Sequence, residues 1–305
     1  MHRLPSGRVV ADFRLDQAAG LRRLFGNGHH LQVITFVAGC EGVGRSQIVA
    51  NLGVALARLG KEVLIIDENS AADDIASGYG IQGHYDLLHV IEQMVSLPQV
   101  LLQPMAGLRV LPAALATHKL GRLSAAQQRT LLSAMSALER PLDFILVDAS
   151  IAHPGGVTPF AMVSQEVVVT LSGNTQAITE AYALIKKASQ IFARKHFRIL
   201  VNKVRQAGDA LPIFDNIARV ARQRGVATVE YAGAVPFDEA FRLAGQMCRS
   251  VLIQAPDSPS AAACRDIAAE MEFWRGSAES EGGVEHFVQQ LLHFSQRLTP
   301  ELLRA

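Results

Sequence analysis

The chain predicts a doubly wound α/β domain, a mostly parallel sheet covered by helices on both faces, and three observations predict it. Apolar strand-like runs alternate with helical apolar patterns from Leu31 to about Met247, the order that builds parallel sheets. A glycine-rich turn, Gly39-Cys40-Glu41-Gly42-Val43-Gly44-Arg45-Ser46, joins the first strand to the first helix. Candidate functional residues then gather where strands end, at Asp67–Asn69, Asp148–Ala152, Asn202 and Pro236. Sheets of this kind bind ligands at those carboxyl ends.

Each element follows from its pattern. Val33, Ile34, Phe36 and Val37 form a buried run over Leu31–Ala38. After the turn, Ile48, Val49, Leu52, Ala55, Leu56 and Leu59 recur at helical spacing over Ser46–Leu59. Further strands are predicted at Glu62–Asp67, Leu108–Pro112, Phe144–Asp148, Glu166–Leu171, Arg198–Asn202 and Tyr231–Val235. Helices are predicted at Ser124–Glu139, Thr175–Phe192, Leu211–Arg224 and Pro256–Trp274. A polar break at Gly276–Gly283 precedes an apolar stripe of Val284, Phe287, Val288, Leu291, Leu292 and Leu298. Ahead of the sheet, Met1–His30 carries five arginines against two aspartates. Its one pattern is Asp16–Phe25, where Asp16 can cap a short helix with Ala18, Leu21, Leu24 and Phe25 on one face. The expected regions are 1–30, a partner-binding segment; 31–275, the α/β domain; and 276–305, a polar linker with an amphipathic helix.

Composition narrows the function classes. Of 305 residues, 49% are hydrophobic and 19% charged, which describes a soluble protein with ample core. A net charge of +1 gives no basis for direct nucleic-acid binding. Cys40, Cys248 and Cys264 lack C-x-x-C spacing and read as free thiols of a reducing compartment. No run is long enough to span a bilayer, so a cytoplasmic location is expected. The ten histidines show no metal spacing.

The turn carries the chemistry. Gly39 and Gly44 fit the phosphate-loop pattern G-x-x-x-x-G-K-[ST], and Ser46 supplies the hydroxyl for Mg²⁺, but Arg45 stands at the lysine position. Backbone N–H groups of Glu41–Ser46 and the helix N-terminus can hold phosphates without a lysine. Gly39, Cys40, Glu41, Gly42, Val43, Gly44, Arg45, Ser46 and Gln47 are therefore the candidate nucleotide-binding set.

Several stretches carry a family resemblance. Asn51-Leu52-Gly53 follows the loop, and Gly60-Lys61-Glu62-Val63-Leu64-Ile65-Ile66-Asp67 comes next. Later stand Ile178-Thr179-Glu180-Ala181-Tyr182-Ala183-Leu184-Ile185-Lys186, Gly233-Ala234-Val235-Pro236-Phe237-Asp238-Glu239 and Ser258-Pro259-Ser260-Ala261-Ala262. From about Asp16 to Trp274 the chain resembles the MinD/ParA family of deviant Walker-A ATPases. More narrowly, it resembles the FlhG/FleN group that controls flagellar number and placement. The resemblance implies a MinD/SIMIBI-like P-loop NTPase fold. Asp16-Gln17-Ala18-Ala19-Gly20-Leu21-Arg22 is similar to the D-Q-A-x-x-L-R motif through which the group engages and activates the signal-recognition-type GTPase FlhF. Asp16, Gln17, Ala18, Leu21 and Arg22 are accordingly the expected partner-binding residues. The resemblance also implies that Asn202 and Pro236 contact adenine; pattern alone equally allows a strand-end cap and a turn proline.

The departures from the family loop, K-G-G-x-G-K-[ST]-[ST], set the expected activity. The signature lysine, which crosses a dimer interface to the partner's nucleotide, is Cys40, and the next glycine is Glu41. The second lysine is Arg45, whose planar fork is not equivalent to an ammonium. The catalytic aspartate corresponds to Asn69, which orients water but cannot take its proton. Asp148 matches the Walker-B-like Mg²⁺ aspartate, and the switch glycine is Ala152. Losing one catalytic charge or base costs about 3–5 kcal/mol. Hydrolysis is expected to be weak or lost, and no residue is assigned as catalytic. ATP or ADP binding, with Mg²⁺ on Ser46 and Asp148, stays open.

The stripe of Phe287, Val288, Leu291 and Leu292 has three readings: membrane targeting as in the family, packing on the chain's own core, and partner binding. Its polar face holds Glu285, His286, Gln289, Gln290 and His293 with only Arg297 basic, which is poor in cations for anionic lipid. The expected function is an FlhG-like regulator that binds and stimulates an FlhF-type GTPase. One alternative is an active, ATP-switched homodimer at the inner face of the cell membrane. Another is an antagonist of a flagellar transcription activator, and flagellar switch or C-ring proteins are further candidate partners.

Overall fold

A computed structural model describes residues 31–70, 74–138, 140–151, 158–206, 208–274 and 283–297. The Asp16–Arg22 motif and Ala152 lie outside the described residues. One sheet holds β1 (Gln32–Val37), β2 (Val63–Asp67), β3 (Leu102–Met105), β4 (Leu108–Pro112), β5 (Phe144–Asp148), β6 (Glu166–Ser172), β7 (His196–Val204) and β8 (Thr228–Pro236). Their order is β3-β4-β2-β5-β1-β6-β7-β8. Every pairing is parallel except β3 with β4. All seven predicted strands are present. The addition, β3, runs Leu-Gln-Pro-Met and is only half-buried, so neither alternation nor an apolar run announces it. As an edge strand it tolerates Pro104.

The seven helices of eight residues or more among the described residues are α1 (Arg45–Arg58), α2 (Ala125–Ser136), α3 (Thr175–Phe192), α4 (Ala210–Gln223), α5 (Glu239–Gln246), α6 (Pro259–Met271) and α7 (Val284–Arg297). Their starts are chemically marked. Asn174 Oδ1 accepts the Ala177 N–H at 2.7 Å ahead of α3. Ser258 Oγ accepts the Ala261 N–H at 3.2 Å ahead of α6, where Pro259 fills the first helical position. Such caps satisfy amides that have no partner inside the helix.

Helices cover both faces, which is why β2, β5 and β6 are buried from end to end. On one face α1, α5 and α6 pack over Ile34, Phe36, Ile65, Val168 and Leu200. Gly53 lets α1 approach closely, since a Cβ there would stand 2.8 Å from Ile65 Cδ1. The opposite face buries Val33, Leu64, Ile66, Ile145 and Val147 beneath α2 and α7. Beside them α3 and α4 cover Val169, Leu171 and Val201.

The C-terminal stripe resolves into packing. Phe287, Val288, Leu291 and Leu292 are buried against α2, the Pro159–Val163 helix and the Leu120–Arg122 turn. Backbone meets backbone there, since a Cβ on Gly121 would lie 2.6 Å from the Ser295 carbonyl oxygen. Over its described residues, the expected separate C-terminal region therefore belongs to the same packed unit as the sheet.

Candidate functional site

The strand order turns outward in opposite directions on the two sides of β1, and the glycine loop sits at its carboxyl end. Gly39 passes against the backbone of α3: a Cβ would stand 2.4 Å from the Glu180 carbonyl carbon. Gly44 has φ +85° and caps α1, and a Cβ there would lie 2.5 Å from Asn202 Nδ2. Only glycine fits both positions. From β7, Asn202 Nδ2 donates to the Val43 carbonyl at 2.7 Å and Lys203 Nζ donates to the Gly42 carbonyl at 2.6 Å. Asn202, implied as an adenine contact, thus braces the loop, and Lys203 is a brace that sequence patterns did not mark.

Glu41 is exposed, so its carboxylate reaches solvent. Burial, and then Glu180, push the Cys40 thiol upward, against a reactive thiolate. Gln47 Nε2 donates to the Phe241 carbonyl at 2.5 Å and ties α1 to α5. Beside it lies a cavity of about 560 Å³ bordered by Ser46, Gln47, Asn202, Pro236, Phe237 and Phe241. Pro236 ends β8. The predicted nucleotide residues Ser46, Gln47, Asn202 and Pro236 therefore share one opening.

Beneath the loop, four elements bring a polar cluster together. The β2–β5 register sets Asp67 directly beside Asp148. Both are buried, and Glu68 is also only 2% exposed. Arg45, 6% exposed, reaches from the start of α1 into this acidic floor. Its Nε donates to Asp148 Oδ1 at 2.5 Å and its Nη2 donates to Asn69 Oδ1 at 3.0 Å. Asn69 Nδ2 donates to Asp67 Oδ1 at 2.9 Å and to Asp148 Oδ2 at 2.7 Å. Asp67 Oδ2 accepts the Ile75 N–H at 2.6 Å. Glu68 Oε2 accepts the Ser150 N–H at 2.9 Å. Asp74 caps the Ile75–Gly78 helix, its Oδ1 accepting the Ser77 N–H at 2.7 Å.

The electrostatics follow from this crowding. Burial first, then the neighbouring Asp148, push Asp67 up to about 7. Burial pushes Glu68 up to about 8. Asn69, a non-basic amide, has both its carbonyl and its NH2 group engaged in this bridge.

The sequence expectation of Mg²⁺ on Ser46 and Asp148 meets this same bridge. Both Asp148 carboxylate oxygens are engaged, and Arg45 Nη2 lies 3.5 Å from Ser46 Oγ. Octahedral Mg²⁺ takes oxygen ligands at about 2.0–2.1 Å, and this donor set, directed at a guanidinium, does not fit it.

Sheet order, glycine loop and strand-end aspartates define a P-loop nucleotide-binding class of protein. A family model described as an AAA domain matches residues 31–200. The antiactivator FleN of Pseudomonas aeruginosa is 31% identical over 267 residues, 88% of this chain and 95% of FleN. The flagellum site-determining protein YlxH of Helicobacter pylori is 26% identical over 227 residues, 73% of this chain and 76% of YlxH. The MinC:MinD cell division complex of Aquifex aeolicus matches in fold with a TM-score of 0.63 at 21% identity, covering 80% of this chain and 96% of that one. The chain belongs to the MinD/ParA family and, within it, to the FlhG/FleN group.

Proposed function

We propose that the chain is an FlhG-like regulator of flagellar number or placement that works by binding partners, with ATP turnover weak or lost. The observation that carries this reading is the bridge Arg45–Asp148–Asn69. The residue at the family's lysine position is drawn into the acidic floor, and the residue at its catalytic position is held as a structural link. Cys40, neutral and half-buried, brings no cation for a nucleotide across a dimer interface. ATP-driven homodimerisation therefore has little support. The loop's backbone amides still favour a phosphate-bearing ligand, so ADP or ATP binding belongs to the proposal while efficient hydrolysis does not.

The partner in this reading is an FlhF-type GTPase, engaged through Asp16, Gln17, Ala18, Leu21 and Arg22. A GTPase assay tests it: Gln17→Ala and Leu21→Ala should each abolish stimulation by the full chain. Unchanged stimulation would remove that role. Similarity to an antiactivator over most of the chain favours a second reading, antagonism of a flagellar transcription activator. Capture of such an activator by the purified chain, with no effect on the GTPase, would select it. Attachment to the inner face of the membrane has less support, because the α7 stripe is buried in the fold. Among the described residues no helix is long and apolar enough to cross a membrane.

A further inference from the structure

Two changes that the sequence presents as separate losses are complementary in space. Arg45 and Asn69 are hydrogen-bonded to each other, and together they engage both carboxylate oxygens of Asp148 and one of Asp67. Two buried aspartates side by side require a cation or protons, because like charges at that separation repel strongly outside water. The guanidinium is that cation. Its planar fork serves Asp148 and Asn69 at once through two nitrogens, Nε and Nη2, held in one fixed geometry.

One feature of the guanidinium points to a ligand. Arg45 Nη1 is buried and has no hydrogen-bond partner among the described residues. A buried donor left unpaired costs about 1–3 kcal/mol, more when charged. The same guanidinium borders Ser46 Oγ at the start of α1, where helix amides also favour an anion. The arrangement is complete once an anionic oxygen accepts from Nη1.

We infer that Arg45 replaces the divalent cation, so that the loop takes the phosphate tail of a nucleotide free of metal. This rests on reading the loop as a nucleotide site, and it adds that Mg²⁺ does not contribute to binding. An arginine contributes a charge-assisted hydrogen bond to a phosphoryl oxygen as a metal would contribute charge, yet needs no vacant carboxylate.

The test is calorimetric titration of the full, nucleotide-free chain with ADP, once in EDTA and once with Mg²⁺. Dissociation constants agreeing within about twofold support the inference. Tightening by Mg²⁺ of tenfold or more, about 1.4 kcal/mol, overturns it. Arg45→Lys provides the converse: a shorter point charge leaves Asp148 open, and Mg²⁺ should then tighten ADP at least tenfold. The comparison on the unaltered chain stands even if that variant folds poorly. No ADP binding in either buffer also overturns the inference. GTPase stimulation by the same preparation then shows separately whether the regulatory reading survives.

Discussion

Arg45→Met isolates the energetic role of the bridge. Methionine keeps much of the side-chain length and removes the charge, leaving Asp148 fully buried without its cation. Breaking a buried pair by removing one partner costs about 3–5 kcal/mol, because the remaining charge stays out of water. Asn69 Oδ1 also loses its donor at 3.0 Å, worth about 1 kcal/mol. Equilibrium urea unfolding of the full chain should show a loss of about 4–6 kcal/mol. Asp148→Asn alone should be costly as well, since it leaves the guanidinium unpaired. The double variant should lose clearly less than the sum, with a coupling of at least about 2 kcal/mol, as expected for groups in direct contact. Additive effects, or a loss within about 0.5 kcal/mol for Arg45→Met, would refute the bridge as described.

Other consequences are equally direct. Glu68 is held near 8, well above the ordinary 4.5 of a free glutamate, so the fold favours its protonated form. Its contribution to stability is complete below about 4.5 and is lost as pH rises through about 8, and Asp67, held near 7, acts in the same direction. Glu68→Gln should therefore lose less Tm than the unaltered chain between those limits; parallel Tm profiles would contradict this. Leu291, 2% exposed on the buried face of α7, should cost about 2–5 kcal/mol as Leu291→Ala in urea unfolding. A loss below about 0.5 kcal/mol would mean that α7 leaves the core in solution. With ATP and Mg²⁺ in a phosphate-release assay, the chain should turn over near background, and turnover typical of ATPases, of order 1 per second or more, would contradict the weakened site.

Much of the sheet was legible because its strands are buried on both faces and read as unbroken apolar runs, as in Phe144–Val147. The edge strand β3 escaped notice because Pro104 and partial exposure erase its pattern. Helix α5 was hidden behind the Pro236 strand end; the cap that starts it, Asp238 Oδ1 accepting the Ala240 N–H at 2.9 Å, is one residue among several polar ones there. The loop was legible from glycine spacing, and Gly39 and Gly44 occupy positions where a Cβ would collide. The destination of the Arg45 side chain was not. Arg45, Asn69 and Asp148 lie on three elements that meet only when β2, β5 and α1 are assembled, so each change looked like an isolated defect. Asn202 teaches the same point, since its bond to Val43 joins residues 159 positions apart.

The most direct measurement of the central claim, regulation without ATP turnover, is the rate of an FlhF-type GTPase titrated with the full chain. The titrations would be run with no adenine nucleotide, with ATP and with a non-hydrolysable ATP analogue. The account predicts saturable stimulation that is equal with ATP and with the analogue. Stimulation seen only with ATP would contradict it, because the function would then depend on the hydrolysis that the Arg45–Asp148–Asn69 bridge is held to suppress.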